Sequence, residues 1–297
     1  MLAVEVTPDL GEVGTARFAT RYEDLSQDGH VKLTVLAAAL GRACFAEVWS
    51  KHPLSGIHRE GVLPILGRLV LEIEPLASRL LGTLEGRGRV TLAHERDDQD
   101  RVHALFLNTT ADVFASPKRG LVPAGADPQK LVRVGRAFGE HIFTKPHAPK
   151  AERKVLGFNV PGYPAVPTQR YTRPKLTETV AVPAHATALE DAFSADECPW
   201  VFGMTHTDGN QHVNSLVYVR MFEDAAIRRF ARLERNAAVL AHRVEVQYRK
   251  PCFAGQKLIC MLRAYEVPEG DGVVGYLGVE GAPVEKAHCA VRMQFGR

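Results

Sequence analysis

Apolar and polar positions run through this chain twice in the same order. Near the start, Arg17–Glu23 alternates in the manner of a strand and leads into a polar loop, Asp24–His30. From Val31 to Trp49 the period changes. Leu33, Leu36, Leu40, Cys44 and Val48 recur at helical spacing, and the segment is apolar on most sides. That predicts a buried helix, ended by Pro53 and Gly56. Three runs rich in Val, Leu and Thr follow, Leu63–Glu74, Leu80–His94 and Val102–Ala115, parted by turn residues such as Asp97 and Asp98. They predict strands.

The second half restates this. Trp200–His206 reads as a strand, Thr207–His212 as a polar loop, and Val213–Leu233 as a helix with Leu216, Val219, Phe222, Ala226 and Phe230 on one face. Strand-like runs return at Val239–Arg249, Gln256–Tyr265, Val273–Val279 and Ala287–Phe295. With His30 placed on His212, Asp28 falls on Asn210 and Val31 on Val213. The strand ending at Pro75 then matches the one ending at Pro251. The period is far too long for a solenoid, so the pattern predicts a duplicated α+β domain. Each copy is one long buried helix wrapped by an antiparallel sheet, at about 10–120 and 181–297. The stretch between them, about 121–180, carries Pro146, Pro149, Pro161, Pro164, Pro167 and Pro174 and reads as a linker. Within it a short helix is expected over Lys130–Gly139, and a strand within Leu176–Val182.

Composition narrows the picture. A chain of 297 residues suits two domains of about 100–150 residues. A net charge of +3, spread along the chain, gives no basic patch for nucleic acid. The five cysteines are odd in number and lack C-x-x-C spacing. The expectation is therefore free thiols, no zinc site, no cofactor and a cytoplasmic protein. The first residues do not read as a signal peptide, and no apolar run approaches the roughly 20 residues that span a bilayer, so no membrane partner is expected.

The strongest chemical signal is Asp208-Gly-Asn-Gln-His-Val-Asn-Ser-Leu-Val-Tyr218. If the segment is extended, Asp208, Asn210 and His212 share one side just before a helix begins. Free backbone N–H groups and the positive end of the helix dipole lie there, suited to a developing oxyanion. His212 could then be general base or nucleophile, oriented by Asp208 or Asn210. Equally, Asp and Asn before a helix are ordinary caps, and the histidine an ordinary hydrogen-bonded one.

The motif Asp208-x-Asn210-x-His212-Val213-Asn214-Ser215-x-x-Tyr218 resembles the plant and bacterial acyl-ACP thioesterases, and more loosely the 4-hydroxybenzoyl-CoA thioesterase group. Those families carry it with Asn where Ser215 stands. Arg21-Tyr22-Glu23 and Glu245–Cys252 are weaker likenesses in the two halves. The resemblance implies a double hotdog fold and an acyl-CoA or acyl-carrier-protein substrate. It also implies Asp208, Asn210 and His212 as catalytic residues. Pro251 is a departure, because the family has a carboxylate just before the cysteine matched by Cys252. Cys252 is then a candidate nucleophile beside His212, although a buried inert thiol is the commoner fate. Asn214 and Tyr218 are expected to cap and pack, with Tyr218 able to reach the same cavity as a substrate contact. Asp28 and His30 mark a degenerate counterpart in the first repeat, and a homodimer is an allowed further assembly.

Three other readings stay open. A hotdog dehydratase or hydratase would use Asp208–His212 with His52, but Pro64 follows Gly56 too far along for that family's pattern, and His52 sits at a helix end. Acyl transfer would use the same oxyanion geometry. A non-catalytic acyl-thioester binding protein would explain Pro251.

Overall fold

A computed structural model of the chain describes residues 13–26, 29–74, 82–115 and 131–296. It divides into two compact units, Met1–Gly67 with Ile73–Arg173, and Arg68–Glu72 with Pro174–Arg297.

The first unit holds β1 (Gly14–Ala19), a helix α1 (Leu33–Lys51), most of β2 (Leu63–Ile73), β3 (Thr83–Arg96), β4 (Val102–Ala115) and β5 (Val132–Thr144). Strands β1, β3, β4 and β5 pair antiparallel in that order. The helix buries Leu36, Ala39, Leu40, Ala43 and Cys44 on this sheet, the face its sequence spacing announces. Close approach needs Gly88 on β3, where a Cβ would stand 2.6 Å from Cys44 Sγ. The backbone of α1 is not uniform. It starts as a 3₁₀ turn at Leu33–Leu36, passes through Ala37–Ala39, and widens to π-type bonding over Leu40–Ala46. By length and composition α1 is apolar enough to cross a bilayer, contrary to the sequence expectation, although the core helix of a soluble protein meets the same measure. Beneath it, His141 on β5 turns its ring edge-on to Phe45 at 4.9 Å and sets Nδ1 3.2 Å from Leu107 O. Burial pulls the His141 pKa from 6.5 down to about 4.

Lys130–Gly139 is not the helix expected, since its residues from Val132 on belong to β5. The strand is buried on both faces, with Glu140 and His141 both enclosed, so no alternation marks it in the sequence. Its arginines are matched across the sheet: Arg136 donates to Asp112 at 2.9 Å, and Arg133 pairs with Glu74. The stretch expected as linker thus supplies a strand to the first unit.

The second unit holds the short helix α2 (Leu176–Thr179), the two-residue strands β6 (Thr187–Ala188), β7 (Ser194–Ala195) and β8 (Trp200–Val201), the helix α3 (Ser215–Arg232), and β9 (Ala241–Tyr248), β10 (Lys257–Val267), β11 (Gly270–Gly278) and β12 (Cys289–Gly296). Residues Arg68–Glu72 of β2 pair with β9, and the antiparallel order continues β9-β12-β11-β10, with β6, β7 and β8 along the far side of β10. Tyr218, Val219, Phe222, Ala226 and Phe230 of α3 are buried, and Leu216 is half-buried. Two sequence expectations fail here. Leu176–Thr179 is a helical turn rather than a strand, anchored where Gln247 Nε2 donates to Pro174 O and Thr179 Oγ1. Trp200–His206 keeps only two strand residues, because Gly203 N–H donates to His206 Nδ1 and Met204–His206 coils into a 3₁₀ turn.

Candidate active site

Each long helix begins from the same backbone turn, and the two copies match position for position at a spacing of 182 residues. Leu25 bridges Val31, and Thr207 bridges Val213. Ser26 N–H donates to His30 O at 2.9 Å, and Asp208 N–H to His212 O at 3.0 Å. Lys32 N–H donates to Asp24 O at 2.8 Å, and Asn214 N–H to His206 O at 2.9 Å. Gly29 and Gln211 both take positive φ, 81° and 63°. Tyr22–Asp24 and Met204–His206 are both 3₁₀ turns. Asp28 lies outside the described residues.

The Asp208–His212 segment is therefore a tight exposed turn and not extended, which corrects the alternation argument. Gln211 N–H closes the turn on Asp208 O at 2.9 Å. Asp208 is committed to the turn: Oδ1 accepts from Asn210 N–H at 2.9 Å and Oδ2 from Asn214 Nδ2 at 3.2 Å. Asn214 is the N-cap of α3, its Oδ1 accepting from Leu216 N–H at 3.0 Å. Val217 N–H turns back to Asn214 O, so Ser215 N–H is left without an acceptor among the described residues. Asn210 and His212 are exposed, and the His212 ring packs edge-on to Phe253 at 5.2 Å. Among the described residues neither ring nitrogen of His212 is bonded to protein, so Asp208 and Asn210 do not orient it.

Cys252 lies directly behind the turn. Its carbonyl accepts from Val213 N–H at 2.8 Å, and its own N–H donates to the Tyr218 hydroxyl at 3.2 Å. Tyr218 is buried, edge-on to Tyr248 at 5.5 Å, and Tyr248 in turn donates to Ser215 O at 2.9 Å. The thiol is fully buried, and burial pushes its pKa up to about 11. Its nearest imidazole is not His212. His288 places Nδ1 3.3 Å from Cys252 Sγ and 3.3 Å from Pro251 O. Sequence reasoning missed His288. It stands 36 residues after Cys252 in the loop entering β12, where the pairing of Cys289 with Tyr248 and the bonds of Arg249 and Lys250 N–H to His288 O bring it there. All five cysteines are free; Cys44, Cys252, Cys260 and Cys289 are buried and Cys198 is exposed. His52, the dehydratase candidate, caps the 3₁₀ helix Pro53–Glu60, accepting from Leu54 N–H at 3.3 Å, and stacks on Trp49 at 6.0 Å.

This architecture, a long helix wrapped by an antiparallel sheet and present twice, is the tandem hotdog fold. The chain is similar over nearly its whole length to solved acyl-ACP thioesterases. One from Bacteroides thetaiotaomicron is 13% identical at a TM-score of 0.58, with 95% of this chain and 97% of that one covered. A protein assigned as an oleoyl thioesterase from Lactobacillus plantarum is 14% identical at 0.61, with 96% of each covered. The 12:0-ACP thioesterase from Umbellularia californica is 12% identical at 0.57, covering 95% and 93%. No protein-family profile and no curated protein sequence matches the chain.

Proposed function

We propose that this protein hydrolyses an acyl thioester, carried by coenzyme A or by an acyl carrier protein, at the N-terminus of α3. The observation that carries the reading is the built helix start. Asp208 and Asn214 fix the turn, Ser215 N–H has no acceptor among the described residues, and His212 of the same turn is exposed. A helix N-terminus carries roughly half a positive charge. A thioester carbonyl hydrogen-bonded there gains most as its oxygen becomes an oxyanion in the transition state. A neutral imidazole has one donor and one acceptor nitrogen, so His212 can bridge the carbonyl and the attacking water. Asn210, exposed in the same turn, and Tyr218, beneath it, are the further substrate contacts. Water is preferred over Cys252 as nucleophile. A thiol with a pKa of about 11 leaves only about one molecule in ten thousand as thiolate at pH 7. Five free thiols suit a reducing cytoplasm.

The test is a panel of acyl-CoA and acyl-carrier-protein thioesters of graded chain length, assayed for free thiol. Release of thiol and fatty acid in equal amounts from at least one member is expected. Binding without release would favour an acyl-thioester binding protein. Conversion with the thioester intact would favour a dehydratase.

A further inference from the structure

We propose that Tyr248 is a positioning residue for the thioester carbonyl: its hydroxyl, bonded to the carbonyl of the first helical residue of α3, fixes the direction of the open Ser215 N–H. The proposal rests on thioester hydrolysis at the α3 start. Ser215 N–H is the backbone donor left there for a developing oxyanion. Such a donor stabilises the transition state only as well as it is aimed.

The aim of Ser215 N–H is set by the peptide groups on either side of Ser215. The Asn214–Ser215 peptide carries this N–H and is held at its carbonyl by Val217 N–H at 3.0 Å. The next peptide, Ser215–Leu216, is held at both ends. Leu216 N–H donates to Asn214 Oδ1 at 3.0 Å, and Ser215 O accepts from the Tyr248 hydroxyl at 2.9 Å. The bonds to Asn214 lie within the helix start and move with it. The Tyr248 bond comes from the end of β9, so it fixes the helix start against the sheet. A helical carbonyl accepts from the amide four residues on and keeps a second lone pair. The phenol therefore adds to the helix bond and does not replace it.

The phenol is itself held. Its ring lies edge-on to Tyr218 at 5.5 Å, and the Tyr218 hydroxyl accepts from Cys252 N–H at 3.2 Å. Burial lifts the Tyr248 phenol well above the usual tyrosine range, so it stays protonated and able to donate under assay conditions. The first repeat has no counterpart to this clamp. Leu33 stands 182 residues before Ser215, at the matching place in the helix start. Among the described residues no side chain donates to Leu33 O.

Two measurements on the full chain test this. Tyr248→Phe keeps the ring and removes only the hydroxyl. On the best substrate of the panel it should lower kcat by about 10–100-fold, the cost of a misaimed group, with KM within a few-fold. Tyr265→Phe is the control. Tyr265 is another buried tyrosine of the same unit, and its hydroxyl donates to Met293 O at 3.3 Å. It loses the same kind of phenol–carbonyl bond away from α3, and its kcat should match the parent. The second measurement is amide hydrogen exchange followed by NMR, which needs no substrate. The Leu216 amide should exchange about tenfold faster in Tyr248→Phe, as local opening becomes easier, and at the parent rate in Tyr265→Phe. A folded Tyr248→Phe with full kcat, a loss confined to KM, or equal losses in the two variants would overturn the proposal. Unchanged Leu216 exchange would overturn it as well, whatever the activity. A parent that releases thiol from no member of the panel overturns the hydrolase reading instead, and the exchange rates still decide whether Tyr248 clamps the helix start.

Discussion

The turns that start α1 and α3 share a backbone and differ in the chemistry hung on it. At the position of Asp208 the first repeat has Ser26, an uncharged residue whose hydroxyl donates to His30 O at 3.1 Å. At the position of Asn214 it has Lys32, which offers no cap and sends Nζ to Glu23 O. One copy has a charged, capped helix start over a thiol and an imidazole. The other has an uncapped start that leads into a helix of mixed bonding. The common backbone shows that the turn itself is structural, a device for reversing the chain into a buried helix. Any catalytic character must then come from the side chains that differ.

Substitutions made in matched pairs sharpen or break this contrast. The largest effect is expected on turnover. His212→Ala should lower thiol release by about 10²–10⁴-fold, the usual range for losing an acid–base imidazole, while His30→Ala stays within a few-fold. Equal losses in both would make the first turn a second site.

Next comes stability against pH in the first unit. His141 is buried neutral, with a folded pKa of about 4 against 6.5. The unfolded chain therefore binds its proton first. Stability is lost as pH falls from about 6.5 to 4, by about 3 kcal/mol when complete. Denaturant titrations at pH 7 and pH 4.5 should show this loss in the parent and a smaller one in His141→Gln. An identical pH response in the two proteins would refute the assignment.

The caps follow. Asn214→Ala should cost about 0.5–2 kcal/mol by denaturant unfolding, and Lys32→Ala less than about 0.5. Smallest of all, Gln211 sits at φ 63°, so Gln211→Gly should stabilise by up to about 1 kcal/mol, and Gly29→Gln should destabilise by a similar amount. A destabilised Gln211→Gly would mean that the glutamine side chain holds the turn.

Where the sequence predicted well, an element was rich in residues of its own type, as in the Val, Leu and Thr of β4, or buried one face, as in α3. β4 runs over Val102–Ala115 as read, and α3 begins two residues inside its expected start. The pairing of His30 with His212 is confirmed by every described backbone bond of the two turns. β5 was lost because burial on both faces erases the period of two, while Arg133 and Arg136, three apart, imitate a helix. The start of α3 was legible as a place and only partly as an arrangement. Asp and Asn ahead of an apolar run announce a helix start, and the cap on Leu216 is there. That Asp208 would spend both oxygens on the turn depends on Gln211 entering the left-handed region, which no residue type announces. His288 had no local signal at all. Its position follows from strand register, a long-range property.

The burial of four of the five sulfurs has a use outside catalysis. An alkylating reagent added to the native protein meets Cys198 first, since Cys44, Cys252, Cys260 and Cys289 are enclosed and burial holds each as the unreactive thiol. A fluorophore or spin label would therefore attach at one chosen point without removing any native cysteine. That point lies close to Arg228 in the C-terminal half of α3, far along the helix from the turn at its start. A reporter there would register rearrangement of α3 while leaving the Asp208–His212 turn chemically untouched.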